Sequence, residues 1–221
     1  MTERVLIDND VVLKTACYQL GEETISATTV DGVPPAMLGV GRFVIRGRLT
    51  RSTDIADRAR AGTAFAAMLE TIALVEPDDA ELAAAADLEA EANRRDLELD
   101  GGESQLLAIL ANRGCSLLVT GDKRAVAAMA VVATAQAAAR VACLEQLIAH
   151  IVGVAGSAAL RPRVCAEPHV DRAITSCFGC SMASAPADAD ILDGLASYVG
   201  HLDRAAPGML APGHGLASLA G

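Results

Sequence analysis

The chain has no tryptophan, three phenylalanines and two tyrosines among its 221 residues. So few rings exclude a core built on large aromatics and leave little for stacking bases along a single strand. Positive charge is short as well: 18 Lys and Arg against 28 Asp and Glu leave a formal net charge of −10, which argues against capture of nucleic acid by a broad basic face. Any contact with nucleic acid must be local. Long apolar runs are missing too. Residues 125–139 are mostly alanine, carry Thr134 and Gln136, and are followed by Arg140, a run too short and too weakly apolar to span a bilayer. The opening MTERVLIDND lacks a signal-peptide layout, so the expectation is a cytoplasmic protein without membrane contact. In that compartment the six cysteines are expected to be reduced, with Cys17, Cys115 and Cys143 serving as small core residues.

What is present is 52% hydrophobic residues, and with so few rings the core must come from Ala, Val, Leu and Ile. That composition favours helices packed on a parallel sheet, an α/β fold of three layers, α/β/α, around a central, mainly parallel sheet. Val5-Leu6-Ile7 reads as a buried strand. Residues 11–20 look helical with Gly21 as the stop, residues 37–49 suit a second helix after Val33-Pro34-Pro35, and residues 55–73 continue in helical character. Glu76-Pro77-Asp78-Asp79 starts an acidic, Ala-rich helix whose charge reads as a solvated face. Residues 123–139 read as a helix and 140–144 as a strand. From residue 153 the texture turns small and flexible. One amphipathic helix then carries Ile191, Leu192, Leu195, Tyr198, Val199 and Leu202 on a stripe, which needs a partner surface on the core or across a homodimer. The expected organisation is a domain over residues 1–152, a C-terminal helical extension over 153–206 packing on it, and a flexible tail over 207–221.

The most informative segment is LDGGESQLLAILANRGCSLLVTGDKRA, residues 99–125. Glu103 opens a helix that Asn112-Arg113-Gly114 ends, and the apolar run from Cys115 to Val119 reads as a strand before Asp122. About ten helical residues advance about 15 Å and about five strand residues return about 16 Å, so Asp122 comes back to the level of Glu103. Asp8, following the first strand, joins them at the carboxyl edge if both strands are parallel. Taken singly, Asp8 and Glu103 suit helix starts and Asp122 suits a turn. Together, three carboxylates raise one another's pKa unless a cation neutralises them, and all-oxygen ligation suits Mg²⁺ or Mn²⁺ in phosphoryl chemistry.

The motifs VLIDNDVVLK, LDGGESQLLAILANRG and LLVTGDKRA resemble the acidic motifs of the PIN-domain nucleases, which carry acids after the first strand, at the start of a later helix and after the strand that follows it. The resemblance covers about residues 1–150 and implies a PIN-like fold and a metal-dependent ribonuclease that hydrolyses RNA phosphodiesters, with Asp8, Glu103 and Asp122 as metal ligands and catalytic carboxylates. The family usually has a further acid on a helix in the first half, where MLGVGRFVIRGRLTR offers none; Glu70 is the nearest candidate there. Asp100, three residues before Glu103, and Glu145, after another short apolar run, are further ligand candidates. Lys123 and Arg124 are placed to reach substrate phosphate.

Two rival functions are legible. Asp8-Asn9-Asp10 resembles the D-x-D of haloacid-dehalogenase-like phosphatases, with Asp8 as nucleophile, Asp10 as general acid and Gly121-Asp122 as the late metal motif. Val126 and Ala127 stand where that family expects another acid. The other rival is a catalytically incomplete PIN-like module that binds RNA or a protein, and an inhibitory protein partner is a further expectation of the resemblance. Separately, Cys165, His169, Cys177 and Cys180 form C-x3-H-x7-C-x2-C, a set of four zinc-ligand types whose other reading is core packing.

Overall fold

Five apolar runs of three or four residues become the strands β1 (Val5–Ile7), β2 (Ala36–Leu38), β3 (Ala73–Val75), β4 (Leu117–Thr120) and β5 (Val141–Cys143). All pair in parallel, in the order β3-β2-β1-β4-β5, in a computed structural model that describes residues 4–212 and 216. Every residue of β1, β2, β4 and β5 is buried, as expected of parallel strands covered on both faces. Their alternation divides the interior. Val5, Ile7, Met37, Leu117, Val119 and Ala142 face one core, and Leu6, Ala36, Leu38, Leu118, Val141 and Cys143 face the other.

The first core is covered by α1 (Asn9–Cys17), α2 (Gly21–Thr28), α3 (Gly41–Arg51), α4 (Arg58–Leu69), α9 (Leu144–Ala155), α10 (Ser157–Cys165), α11 (Arg172–Cys177) and much of α12 (Asp188–Ala205). The second is covered by α5 (Asp79–Arg94), α6 (Gly101–Arg113), α7 (Lys123–Val132) and α8 (Thr134–Ala137), with Leu202 of α12. The fold is a three-layer α/β/α sandwich. From β1 the chain steps outward through β2 to β3, then crosses to β4 and steps the other way to β5. The order therefore reverses between β1 and β4, the crevice where open sheets of this kind form ligand sites.

Several local expectations change. Gly21 does not stop a helix but begins α2, because the chain reverses two residues earlier at Gln19, which takes a φ of 58°. Residues 36–38 are strand β2, so the helix expected over 37–49 starts only at Gly41. The end of the helical run over 55–73 is lost to β3, an edge strand that leaves Leu74 42% exposed. The region after residue 153 contains more than one helix. α10 and α11 precede α12, whose Ile191, Leu195 and Leu202 are buried, whereas Tyr198 is 38% exposed. α12 packs against α9 and α11.

Residues 207–212 are not loose: the Ala211 N–H donates to Val141 O at 2.7 Å and the Val141 N–H donates to Met209 O at 3.2 Å, which seats this segment beside β5. Residues 213–215, including His214, and 217–221 of the expected tail lie outside the described residues. Among the described residues no helix is long and apolar enough to cross a membrane.

The cysteines depart from the reduced expectation. Cys165 and Cys180 are joined in a disulfide, while Cys17, Cys115 and Cys143 are buried free thiols and Cys177 is a half-buried one. The zinc set is overturned by the same bond, since a disulfide sulfur cannot act as a thiolate ligand. His169 is exposed besides.

Candidate functional site

Three aspartates sit at the N-termini of three helices on the carboxyl edge of the sheet. Asp8 caps α1, accepting from the Asp10 N–H at 3.3 Å through Oδ2. Asp100 caps α6, its Oδ1 accepting from Gly102 N–H at 2.8 Å and Glu103 N–H at 3.0 Å, and Asp122 caps α7, its Oδ1 accepting from Arg124 N–H at 2.8 Å and Ala125 N–H at 3.3 Å. The positive ends of three helix dipoles thus converge on one place, which favours anions there. Each cap engages one carboxylate oxygen and leaves the second to other partners. Glu103 completes a capping box on α6, with Oε2 accepting from the Asp100 N–H at 3.1 Å.

Asp8, Asp100, Glu103 and Asp122 line one cleft of about 540 Å³. Asp8 is 7% and Glu103 6% exposed, so neither is fully hydrated. Burial, then the neighbouring Asp10 and Asp100, pushes the Asp8 carboxyl up to about 6. Burial raises Glu103 to about 8, with the charges of Asp100, Asp8 and Asp122 adding to it and the Asp100 N–H opposing. A cleft that makes its own carboxyl groups hold protons is one in which a bound cation would replace those protons. All the donors are oxygen, the ligand class of Mg²⁺ and Mn²⁺. Among the described residues, no three His, Cys, Asp or Glu side chains are drawn together closely enough to form a ready-made cage.

One wall of the cleft carries a cluster of paired charges. Lys14 Nζ lies 2.7 Å from Asp10 Oδ2 and 2.8 Å from Asp171 Oδ2, and Arg48 Nη1 lies 3.1 Å from Asp10 Oδ1. Gly121 lets this wall close against β4: a Cβ there would stand 2.5 Å from Asp10 Oδ2. The sequence alone suggests Asp10 only as a general acid and singles out none of Lys14, Arg48 and Asp171. The i,i+4 spacing of Asp10 and Lys14 was a readable signal, but the Asp171 contact spans 157 positions.

The remaining candidates divide. Arg124 lines the cleft but is paired, with Nη1 2.6 Å from Glu98 Oε2 and Nη2 3.4 Å from Asp122 Oδ2. Lys123 also lines it, yet its ammonium is held 2.5 Å from Glu145 Oε1 and 5.0 Å from the centre of the Tyr198 ring. Glu145, 2% exposed in the first turn of α9, is therefore the buried partner of Lys123 and not a member of the acidic cluster. Glu70 caps the C-terminus of α4 and lies outside the cleft.

No family model, curated protein or solved structure matches this chain. The chemistry of the site rests on its own residues.

Proposed function

We propose that the chain is a divalent-metal-dependent hydrolase of RNA phosphodiester bonds, a PIN-like ribonuclease. The observation that carries this reading is the convergence of Asp8, Asp100, Glu103 and Asp122 on one cleft where the strand order reverses. Their places in the chain, after the first strand, at the head of the helix before β4, and after β4, match the order of acids that the family resemblance implies. Asp8 and Glu103 would hold the cation, with Asp122 and Asp100 completing its charge balance. Mg²⁺ or Mn²⁺, if held there, would supply Lewis-acid chemistry that activates water and polarises the phosphate. Lys14, held between Asp10 and Asp171, and Arg48 line the same cleft and would turn toward the phosphate by exchanging a carboxylate partner for it. Arg124 can offer its fork by leaving Glu98, an exposed pair that costs little to break.

The phosphatase alternative asks Asp10 to donate a proton as general acid. Each of its oxygens already faces a cation, Oδ2 with Lys14 and Oδ1 with Arg48, which favours the nuclease reading. A matched assay separates the two. With Mg²⁺ or Mn²⁺, wild type should cleave RNA and leave a phosphomonoester untouched, and calorimetric titration should show Mn²⁺ uptake that Asp8→Asn removes. Phosphomonoester turnover without RNA cleavage would replace this reading with the phosphatase. Absence of both activities and of metal uptake would leave a binding module.

A further inference from the structure

Only five aromatic residues are available to this chain, and three of them are spent in the interior: Tyr18 and Phe178 are fully buried and Phe65 is 2% exposed. Tyr198 lies under the Lys123 ammonium. Phe43 is the exception. It stands 58% exposed on α3, flanked by Val40 at 52% and Val44 at 47%. An exposed apolar cluster of this kind, in a chain so poor in rings, marks a contact surface.

The helix that carries Phe43 is also electrostatically unlike the rest of the molecule. In a chain of net charge −10, α3 reads GRFVIRGRLTR, with four arginines and no acid. Gly41, Ile45 and Leu49 form its buried face, leaving Arg46, Arg48 and Arg51 exposed. The Arg42 guanidinium lies 4.7 Å from the centre of the Phe43 ring, and its Nε is buried without a hydrogen-bond partner. Among the described residues Arg46 has no ion-pair partner, and Arg51 is turned back to donate to Gly47 O at 3.2 Å. Gly41 permits the position of the helix: a Cβ there would collide with the Asn9 side chain, next to Asp8. Val44 and Arg48 consequently line the acidic cleft itself, so the basic, aromatic face runs into the mouth of that cleft.

We propose that the exposed face of α3 is the binding surface for a single-stranded RNA, with Phe43 stacking one base and Arg46 and Arg51 contacting the phosphates that lead to the cleft. The occupant follows from the combination. Arginines on an otherwise acidic protein select a polyanion, an exposed ring beside a guanidinium suits an unpaired base, and continuity with the cleft gives the strand a destination. A duplex, whose bases are already stacked, could not use Phe43. This inference rests on the nuclease reading for the direction of the strand, but its test does not.

Binding of a fluorescent single-stranded RNA of about twelve nucleotides is followed by anisotropy in excess chelator, where no cleavage is required. Separately, wild type with Mn²⁺ is assayed on a dinucleotide, too short to occupy the cleft and reach Phe43 as well. The dinucleotide result reads the cleft without the Phe43 face, and the anisotropy result reads RNA binding without cleavage. Wild type should prefer the single strand to a duplex of the same sequence. Phe43→Leu should weaken binding on the order of tenfold while Phe43→Trp restores it, a pattern that mere apolar contact would not produce. Arg46→Gln with Arg51→Gln should lower the slope of log affinity against log salt by about 1.4, at about 0.7 per phosphate contact. Equal affinity in wild type and Phe43→Leu, no measurable binding by wild type, or a dimer that Phe43→Leu converts to monomer would each overturn the proposal. The last outcome would assign the surface to a second copy of the chain.

Discussion

Lys14 Nζ lies 2.8 Å from Asp171 Oδ2, which ties the first helix after β1 to the region that follows the five-stranded sheet. Asp171 also caps α11, accepting from Ala173 N–H at 2.9 Å and Ile174 N–H at 3.2 Å. One residue of the C-terminal region thereby sets the position of a cation on the wall of the acidic cleft.

That pair should be costly to break. Both side chains are only 14% exposed, so Lys14→Met leaves Asp10 and Asp171 without their shared cation, a loss of about 3 kcal/mol. Asp171→Asn should cost less, because an asparagine still caps α11. Urea denaturation of both single variants and the double variant should show the two effects to be non-additive. Burial pushes the Asp171 carboxyl up, but the Lys14 ammonium outweighs it and leaves the group below its ordinary value of 3.8. The stabilisation is therefore complete above that value and is lost as pH falls through the lower folded value. Burial pulls Lys14 down, but Asp10 and Asp171 raise it above 10.5 overall, so its contribution holds below 10.5 and fades only as pH rises through the still higher folded value. Additive losses in the cycle would show that the two side chains do not interact in solution.

Asp122→Asn should separate catalysis from folding. The cap on α7 uses Oδ1, and asparagine is as good an N-cap as aspartate, so the stability change should stay within about 1 kcal/mol. The lost charge should abolish metal-dependent RNA cleavage. Cleavage equal to wild type at matched thermal midpoint would remove Asp122 from the chemistry.

How far such a site is legible depends on the range of the contacts that make it. Glu103 and Asp122 could be brought together on paper because a helix and a strand of known rise lie between them, and α6 ends where Gly114 takes the left-handed conformation at φ 64°. β2 was not legible, since three residues are too few to show a period and they run directly into α3. The two halves of the Lys14–Asp171 pair are 157 positions apart, beyond any local pattern. The spacing of Cys180 from Cys177 suggests a C-x2-C half-site, whereas its partner is Cys165, fifteen residues away. Spacing alone does not tell a disulfide from a metal site.

The burial of α12 gives a graded test. Leu195 is completely buried against the core while Tyr198, one turn on, is 38% exposed. Leu195→Ala should therefore cost about 2 to 4 kcal/mol in chemical denaturation, and Tyr198→Ala much less. Comparable losses would mean that α12 presents a different face to its neighbours.

Glu103 should make stability depend on both pH and metal. Its carboxyl rises from 4.5 to about 8 because burial, and then the charges around it, disfavour the ionised form. The folded protein therefore keeps a proton that the unfolded chain gives up above pH 4.5. Stability should fall as pH rises from 4.5, by about 1.4 kcal/mol per pH unit for one retained proton, and level off above about 8. Asp8, raised from 3.8 to about 6, adds a fall of the same sign over its own narrower window. Glu103→Gln removes the larger part of this dependence and still allows the side-chain carbonyl to complete the capping box, so in chelator at pH 8 the variant should be the more stable protein. Saturating Mn²⁺ should reverse that order, since the cation stabilises the ionised wild type and finds a weaker ligand set in the variant. Thermal midpoints of both proteins at pH 5 and pH 8, with and without Mn²⁺, provide the measurement. A wild-type midpoint that neither falls with pH in chelator nor rises with Mn²⁺ would detach Glu103 from any cation site.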